Sequence, residues 1–89
     1  MNSYEVFLTE TVEEKIKKKH RDKEEHLESQ MKKLRKFPKK YGKPLKGGLH
    51  GYWQLRLDGK FRIWYTIDED ESKVIIEAIK HKDEAKKYY

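Results

Sequence analysis

Arg56 and Arg62 are the residues whose type and spacing point most directly to chemistry. Arg56 stands in the run Tyr52-Trp53-Gln54-Leu55-Arg56-Leu57, and Arg62 in Phe61-Arg62-Ile63-Trp64-Tyr65-Thr66-Ile67, with Asp58-Gly59 between them. Alternation of apolar and polar residues around such a turn predicts a β-hairpin with one core face and one basic, aromatic face. Both guanidiniums then project from the same side of adjacent strands. A guanidinium keeps its charge when partly buried and offers paired N–H donors to a phosphate. Lys46, in the glycine-rich segment before the hairpin, and Lys82, beyond the last apolar run, can converge on the same groove. The spacing fits a phosphate site, and it equally fits ordinary cations on a half-exposed sheet.

Other chemistries find less support. His20, His26, His50 and His81 form neither an i, i+4 pair nor an HxH motif, and no cysteine is present to complete a metal site. Neither a metal nor another cofactor is therefore expected. Ser3, Ser29 and Ser72 fall in a strand start, a helix and an acidic turn without a matching base. The segment GKPLKGG has the glycines and lysines of a phosphate loop but not its spacing or its strand-to-helix setting.

The elements that position the arginines follow from periodicity. Tyr4, Val6 and Leu8 alternate as a short first strand. Thr11 with Glu14 is a capping-box pattern that predicts a helix start. Val12 and Ile16 begin its apolar stripe, which lapses through KKKHRD and resumes at Leu27, Met31, Leu34 and Phe37. Asp22 with Glu25 repeats the capping logic, so a break near Arg21 and a helical hairpin are expected in preference to one long rod. Pro38 closes the second helix, and the four glycines of KKYGKPLKGGLHG make a loop. After the central hairpin come an acidic turn, DEDES, a strand KVIIEAIK, and a tail HKDEAKKYY of weak helical character. The expected class is α+β: a small antiparallel sheet of about four strands, in β-α-α-β-β-β order, packed on an N-terminal helical hairpin with a short C-terminal helical tail. At 89 residues this is a single domain, 1–89.

Charge is distributed unevenly along that layout. The chain is 43% charged with a net charge of +6 and a mean hydropathy of −1.18. Residues 38–67 carry seven cations against the single carboxylate of Asp58, whereas Glu and Lys largely offset each other through the helical half. A polyanion site therefore belongs to the loop and hairpin. The absence of cysteine, of a bilayer-length apolar run and of a leader-like N-terminus predicts a cytoplasmic protein with no membrane partner.

The string KPLKGGLHGYWQLRLDGKFRIWY, followed by VIIEAIKHK and a terminal tyrosine, resembles the RelE/ParE toxin superfamily, and within it the RelE and YoeB mRNA interferases more than the ParE branch. The resemblance is specific in residues 43–67 and 74–88. It implies the toxin of a type II toxin–antitoxin pair that enters the ribosomal A site, beside 16S rRNA, and cuts mRNA there without metal. By position Arg62 matches the arginine that stabilises charge on the scissile phosphate, and Arg56 a basic residue on the preceding strand. Lys82 falls where relatives have a second arginine, and Tyr88 matches a C-terminal tyrosine. Lys46 fits the PLKG lysine. Lys43, Gln54, Lys60 and His81 complete the RNA-facing set.

The resemblance also implies a cognate RelB-like antitoxin, expected to wrap the sheet and helices and either cover Arg62 or displace the C-terminal tail. Two departures stand out. Lys43 occupies the place of a glutamate in YoeB, and His81 falls one position before that protein's C-terminal histidine. The alternative within the superfamily is a ParE-like inhibitor of DNA gyrase, or a catalytically silent partner of the antitoxin.

Overall fold

The computed structural model describes residues 3–86. Strand β1 (Glu5–Leu8) leads into helix α1 (Glu10–Lys19), and a 3-10 turn at Arg21–Lys23 reverses the chain into helix α2 (Glu24–Lys36). A two-residue strand β2 (Lys43–Pro44) and a second 3-10 turn (Gly47–Leu49) precede β3 (Trp53–Arg56), β4 (Phe61–Asp68) and β5 (Lys73–His81). The short helix α3 (Lys82–Ala85) follows directly. No described helix is long and apolar enough to cross a membrane.

The α+β class, the helical hairpin and the three-strand meander are as expected. The sheet has five strands in the order β1-β5-β4-β3-β2, and β1 lies parallel to β5 instead of antiparallel. The cause is topological. The helical hairpin carries the chain from one sheet edge to the other, and successive antiparallel pairings from β2 onwards bring β5 back alongside β1 in the same direction.

The helix ends differ from expectation. Thr9, not Thr11, caps α1, its side-chain oxygen accepting from the Val12 amide at 3.2 Å. With the start two residues earlier, Val12 and Ile16 still face inward, both buried. Asp22 does not cap α2. It lies within the intervening 3-10 turn and pairs with Lys23 at 3.4 Å. Of the expected α2 stripe, Leu27 and Leu34 are buried and Met31 packs partly, whereas Phe37, beyond the last helical residue, is 49% exposed.

Both helices cover one face of the sheet, where Leu55, Leu57, Ile63, Tyr65, Val74, Ile76 and Ile79 meet Val12, Ile16, Leu27 and Leu34. The inward set on β5 changes phase between Ile76 and Ile79. A bulge explains it: Trp64 pairs with Ala78 and Tyr65 with Ile76, so Glu77 is the extra residue on β5, held by the Thr66 hydroxyl donating to its carboxylate at 2.9 Å. A second small cluster, Leu45, Trp64 and Ala85, sits on the other side of the sheet and fixes the glycine-rich loop and α3 there.

Candidate active-site groove

The face away from the helices carries a row of cations set by strand register. Arg56 pairs with Arg62 across β3 and β4, and Arg62 with Lys80 across β4 and β5. Like charges directly opposite on neighbouring strands destabilise a sheet. Three in a row are compensated when an anion lies over them.

Arg62 is oriented before any ligand arrives. Its Nη1 donates to the backbone carbonyls of Asp58, at 2.9 Å, and Phe61, at 3.0 Å. Asp58, the nearest carboxylate in sequence, is turned to other work. Its Oδ1 accepts from the amides of Lys60 and Phe61, both at 2.8 Å, and its Oδ2 meets Lys23 Nζ at 2.8 Å. Partial burial acts to raise the Asp58 pKa, but these donors outweigh it and bring the carboxyl down to about 2. The charge near Arg62 is thus spent on Lys23 of the helical layer, and the groove side stays cationic.

The opposite wall is the loop between α2 and β3. Its start is latched by Tyr65, fully buried, whose hydroxyl donates to the Pro38 carbonyl. Burial pushes this phenol's pKa well up, so it serves as a neutral donor. Gly42 passes so close that a Cβ there would lie 1.9 Å from the Tyr65 oxygen, which is why the position takes glycine. β2 then pairs with β3, Lys43 opposite Gln54, and the buried Leu45 side chain pins the loop onto Trp64. The result is a groove of about 680 Å³ lined by Tyr41, Lys43, Lys46, Gln54, Arg56 and Arg62, together with Pro44, Leu45 and Leu55.

The structure brings together five of the residues singled out in the sequence: Lys43, Lys46, Gln54, Arg56 and Arg62. Gln54 is oriented by accepting from the Trp64 indole N–H at 2.9 Å. Lys60 and Lys82 lie at the hairpin end, beyond the groove lining, joined by the Lys82 amide donating to the Lys60 carbonyl at 2.7 Å. His81 is set apart. Its Nδ1 accepts from the Asp83 amide as the cap of α3, and its ring packs against Phe61 on the helix side of the sheet. His20 meets the same ring edge to face at 4.7 Å, and burial first, then nearby Lys15 and Lys23, lowers its pKa. Tyr88 lies outside the described residues.

Two residues of this face were not legible beforehand. Lys80 joins the arginine row with its Nζ 5.5 Å from the Trp64 ring centre. Tyr41 lines the groove from the loop, and its place beside the lysine-rich segment was the available signal.

This arrangement of sheet and helical hairpin has counterparts among known proteins. The family model for the ParE toxin of type II toxin–antitoxin systems matches residues 6–86. The chain belongs to this toxin family. Among solved structures, the RelBE2 toxin–antitoxin complex of Mycobacterium tuberculosis contains a chain with 30% identity and a TM-score of 0.76, covering 91% of this chain and 93% of that one. The archaeal RelE–RelB complex of Pyrococcus horikoshii matches at 17% identity and a TM-score of 0.70, over 90% and 96% of the two chains. The YoeB/ParE toxin of Agrobacterium tumefaciens matches at 15% and 0.68, over 86% and 96%. These last two share the fold alone. No curated protein matches the sequence. The toxin thus has the RelE-like fold that residues 43–67 and 74–88 suggested, while the matching family model carries the ParE name.

Proposed function

We propose that this toxin is a metal-independent endoribonuclease that cleaves mRNA in the ribosomal A site and so inhibits translation. The observation that carries this reading is the in-register row of Arg56, Arg62 and Lys80 beside a groove edged by Lys43 and Lys46. In-line attack of a ribose 2′-oxygen on its own 3′ phosphate, with the hydroxyl proton passing to a base, forms a 2′,3′-cyclic phosphate. The P–O5′ bond breaks, and the departing 5′-oxygen takes up a proton. Extra negative charge collects on the phosphoryl oxygens midway. Arg62, held by two backbone carbonyls, needs little reorganisation to meet it, and such fixed donors commonly contribute about 10²–10³-fold in rate. Arg56 and Lys46 neutralise the flanking phosphates, and the Gln54 amide faces the same groove.

Among the described residues the groove is lined by cations and a neutral amide, with no carboxylate or imidazole, and the contribution of these residues is electrostatic. The resemblance leaves the proton-transfer residue open between Tyr88, which matches a C-terminal tyrosine, and His81. A RelB-like antitoxin is the partner expected to cover the groove, by analogy with the RelE–RelB pairing of the Pyrococcus complex. Primer extension on mRNA from cells expressing the toxin tests the activity. Codon-phased cuts, abolished by Arg62→Ala, support it, whereas intact mRNA with normal translation overturns it.

The family model that matches favours one second reading, inhibition of DNA gyrase. A supercoiling assay with purified toxin separates the two. Loss of supercoiling together with intact mRNA would favour the gyrase reading.

A further inference from the structure

The groove does not end at Tyr41. That side chain also lines a second, shallower depression of about 410 Å³ formed by Lys32, Lys33, Arg35, Lys36 and Phe37 at the end of α2. Phe37 is 49% exposed and Tyr41 43%, and their rings meet edge to face at 6.3 Å. Lysines interleave with them: Lys33 Nζ lies 5.4 Å from the Tyr41 ring centre, and Lys40 Nζ lies 5.1 Å from Phe37 and 5.6 Å from Tyr41. Residues 32–43 hold seven cations and no carboxylate. Of these, Arg35 is paired with Glu28 and Lys39 with Glu69, whereas Lys32, Lys33, Lys36 and Lys40 have no carboxylate partner among the described residues.

Exposed rings flanked by unpaired lysines, at the end of a phosphate-binding groove, have the composition of a track for single-stranded nucleic acid. Bases stack on the rings while phosphates follow the lysines. A duplex cannot use such rings, because its bases are already stacked. An acidic peptide would satisfy the lysines but leave the ring faces with no planar partner. We propose that Phe37 and Tyr41, with Lys33, Lys36 and Lys40, form an extended subsite that holds unpaired RNA nucleotides flanking those in the groove. This rests on the reading of the groove as an RNA site. It adds that the toxin grips RNA several nucleotides away from the scissile phosphate.

The test uses the full chain and 5′-fluorescein oligoribonucleotides with 2′-O-methyl groups, which block cleavage, in fluorescence anisotropy. A trimer fills the groove, and a nonamer also reaches the track. The nonamer should bind the wild type at least tenfold tighter than the trimer. Phe37→Ala should weaken the nonamer roughly tenfold and the trimer less than twofold, in line with the loss of one stacked base. Phe37→Trp should restore the nonamer, and an abasic nonamer should be indifferent to Phe37→Ala. A nonamer unaffected by Phe37→Ala overturns the track. So does a glutamate-rich helical peptide whose binding alone responds to that substitution. The groove is judged separately: if Arg62→Ala leaves both oligonucleotides unchanged while the Phe37 effect persists, the groove assignment fails and the track stands.

Discussion

The two faces of the sheet solve opposite problems with neighbouring residues. Ile63 is wholly buried under the helical hairpin, and Arg62, one residue earlier on β4, faces the groove. The helix side gains stability from apolar burial. The groove side gives some of it up by aligning Arg56, Arg62 and Lys80 in one row. Stability and chemistry are therefore separated by one residue of sequence and one sheet thickness. Substitutions that act on both sides alike break this picture, and substitutions that separate them sharpen it.

The largest contrast lies between those neighbours. Arg62→Ala should lower mRNA cleavage by about 10²–10³-fold and leave the melting temperature nearly unchanged, as measured by primer extension and thermal unfolding. Ile63→Ala should cost about 2–5 kcal/mol of stability by opening a core cavity. Its cleavage per folded molecule should stay near that of the wild type. If Arg62→Ala destabilises as much as Ile63→Ala, the guanidinium is chiefly a hairpin brace through its bonds to the Asp58 and Phe61 carbonyls.

Gly42→Ala comes next, because it couples the faces. The added Cβ meets the Tyr65 oxygen at 1.9 Å and the Gln54 carbonyl at 3.1 Å, so the loop must shift away from the sheet. A loss of about 2–3 kcal/mol is expected, in the range for overpacking, with cleavage falling as Lys43 and Lys46 move. Removing the hydroxyl with Tyr65→Phe relieves part of the clash, so the double variant should be less destabilised than the sum of the singles in denaturant titrations.

Asp58 tests the link from hairpin to helices. Its folded pKa of about 2 lies below the ordinary 3.8. The depressed value means that its stabilisation is fully present above about pH 4 and is lost as pH falls through about 2. The difference corresponds to roughly 2 kcal/mol, for a carboxylate whose side chain is only 20% exposed. Asp58→Asn keeps acceptors for the Lys60 and Phe61 amides but loses the pair with Lys23. It should cost about 1–2 kcal/mol at pH 7 and flatten the acid limb of stability between pH 4 and 2. An unchanged acid limb would show that Asp58 does not clamp the hairpin to the helical layer.

Much of this was legible in the sequence where alternation is unambiguous. The central strands alternate strictly, so the inward Leu55, Ile63 and Tyr65 and the outward Gln54, Arg56 and Arg62 all follow from period two. Helix ends were less legible, because Thr9 and Thr11 both offer a hydroxyl and only packing of Val12 and Ile16 selects the first. The outward turn of Phe37 was hidden too, since helical periodicity does not say where α2 stops.

β5 was the least legible, and it governs the smallest predicted effect. Its apolar residues, Val74, Ile75, Ile76, Ala78 and Ile79, do not alternate. Continued from Val74 and Ile76, strict alternation puts Ala78 and Lys80 on the core face, where a lysine is costly to bury. The bulge at Glu77 shifts the phase by one, which sends Ile79 inward opposite Ile63 and turns Lys80 outward opposite Arg62. Bulges near functional sites often re-aim a side chain in this way. Because Lys80 is not among the side chains lining the groove, the proposed cleavage would feel it through its field and not by contact. Lys80→Ala should therefore reduce cleavage by only about tenfold, about 1.4 kcal/mol in the barrier, with less loss at high salt, where such fields are screened. Stability should hold or rise slightly, as a like-charge neighbour of Arg62 is removed. Cleavage rates measured across a salt series would decide it: a loss that persists undiminished at high salt would mean that Lys80 touches the RNA directly, and the arginine row would then extend into the site as a third contact.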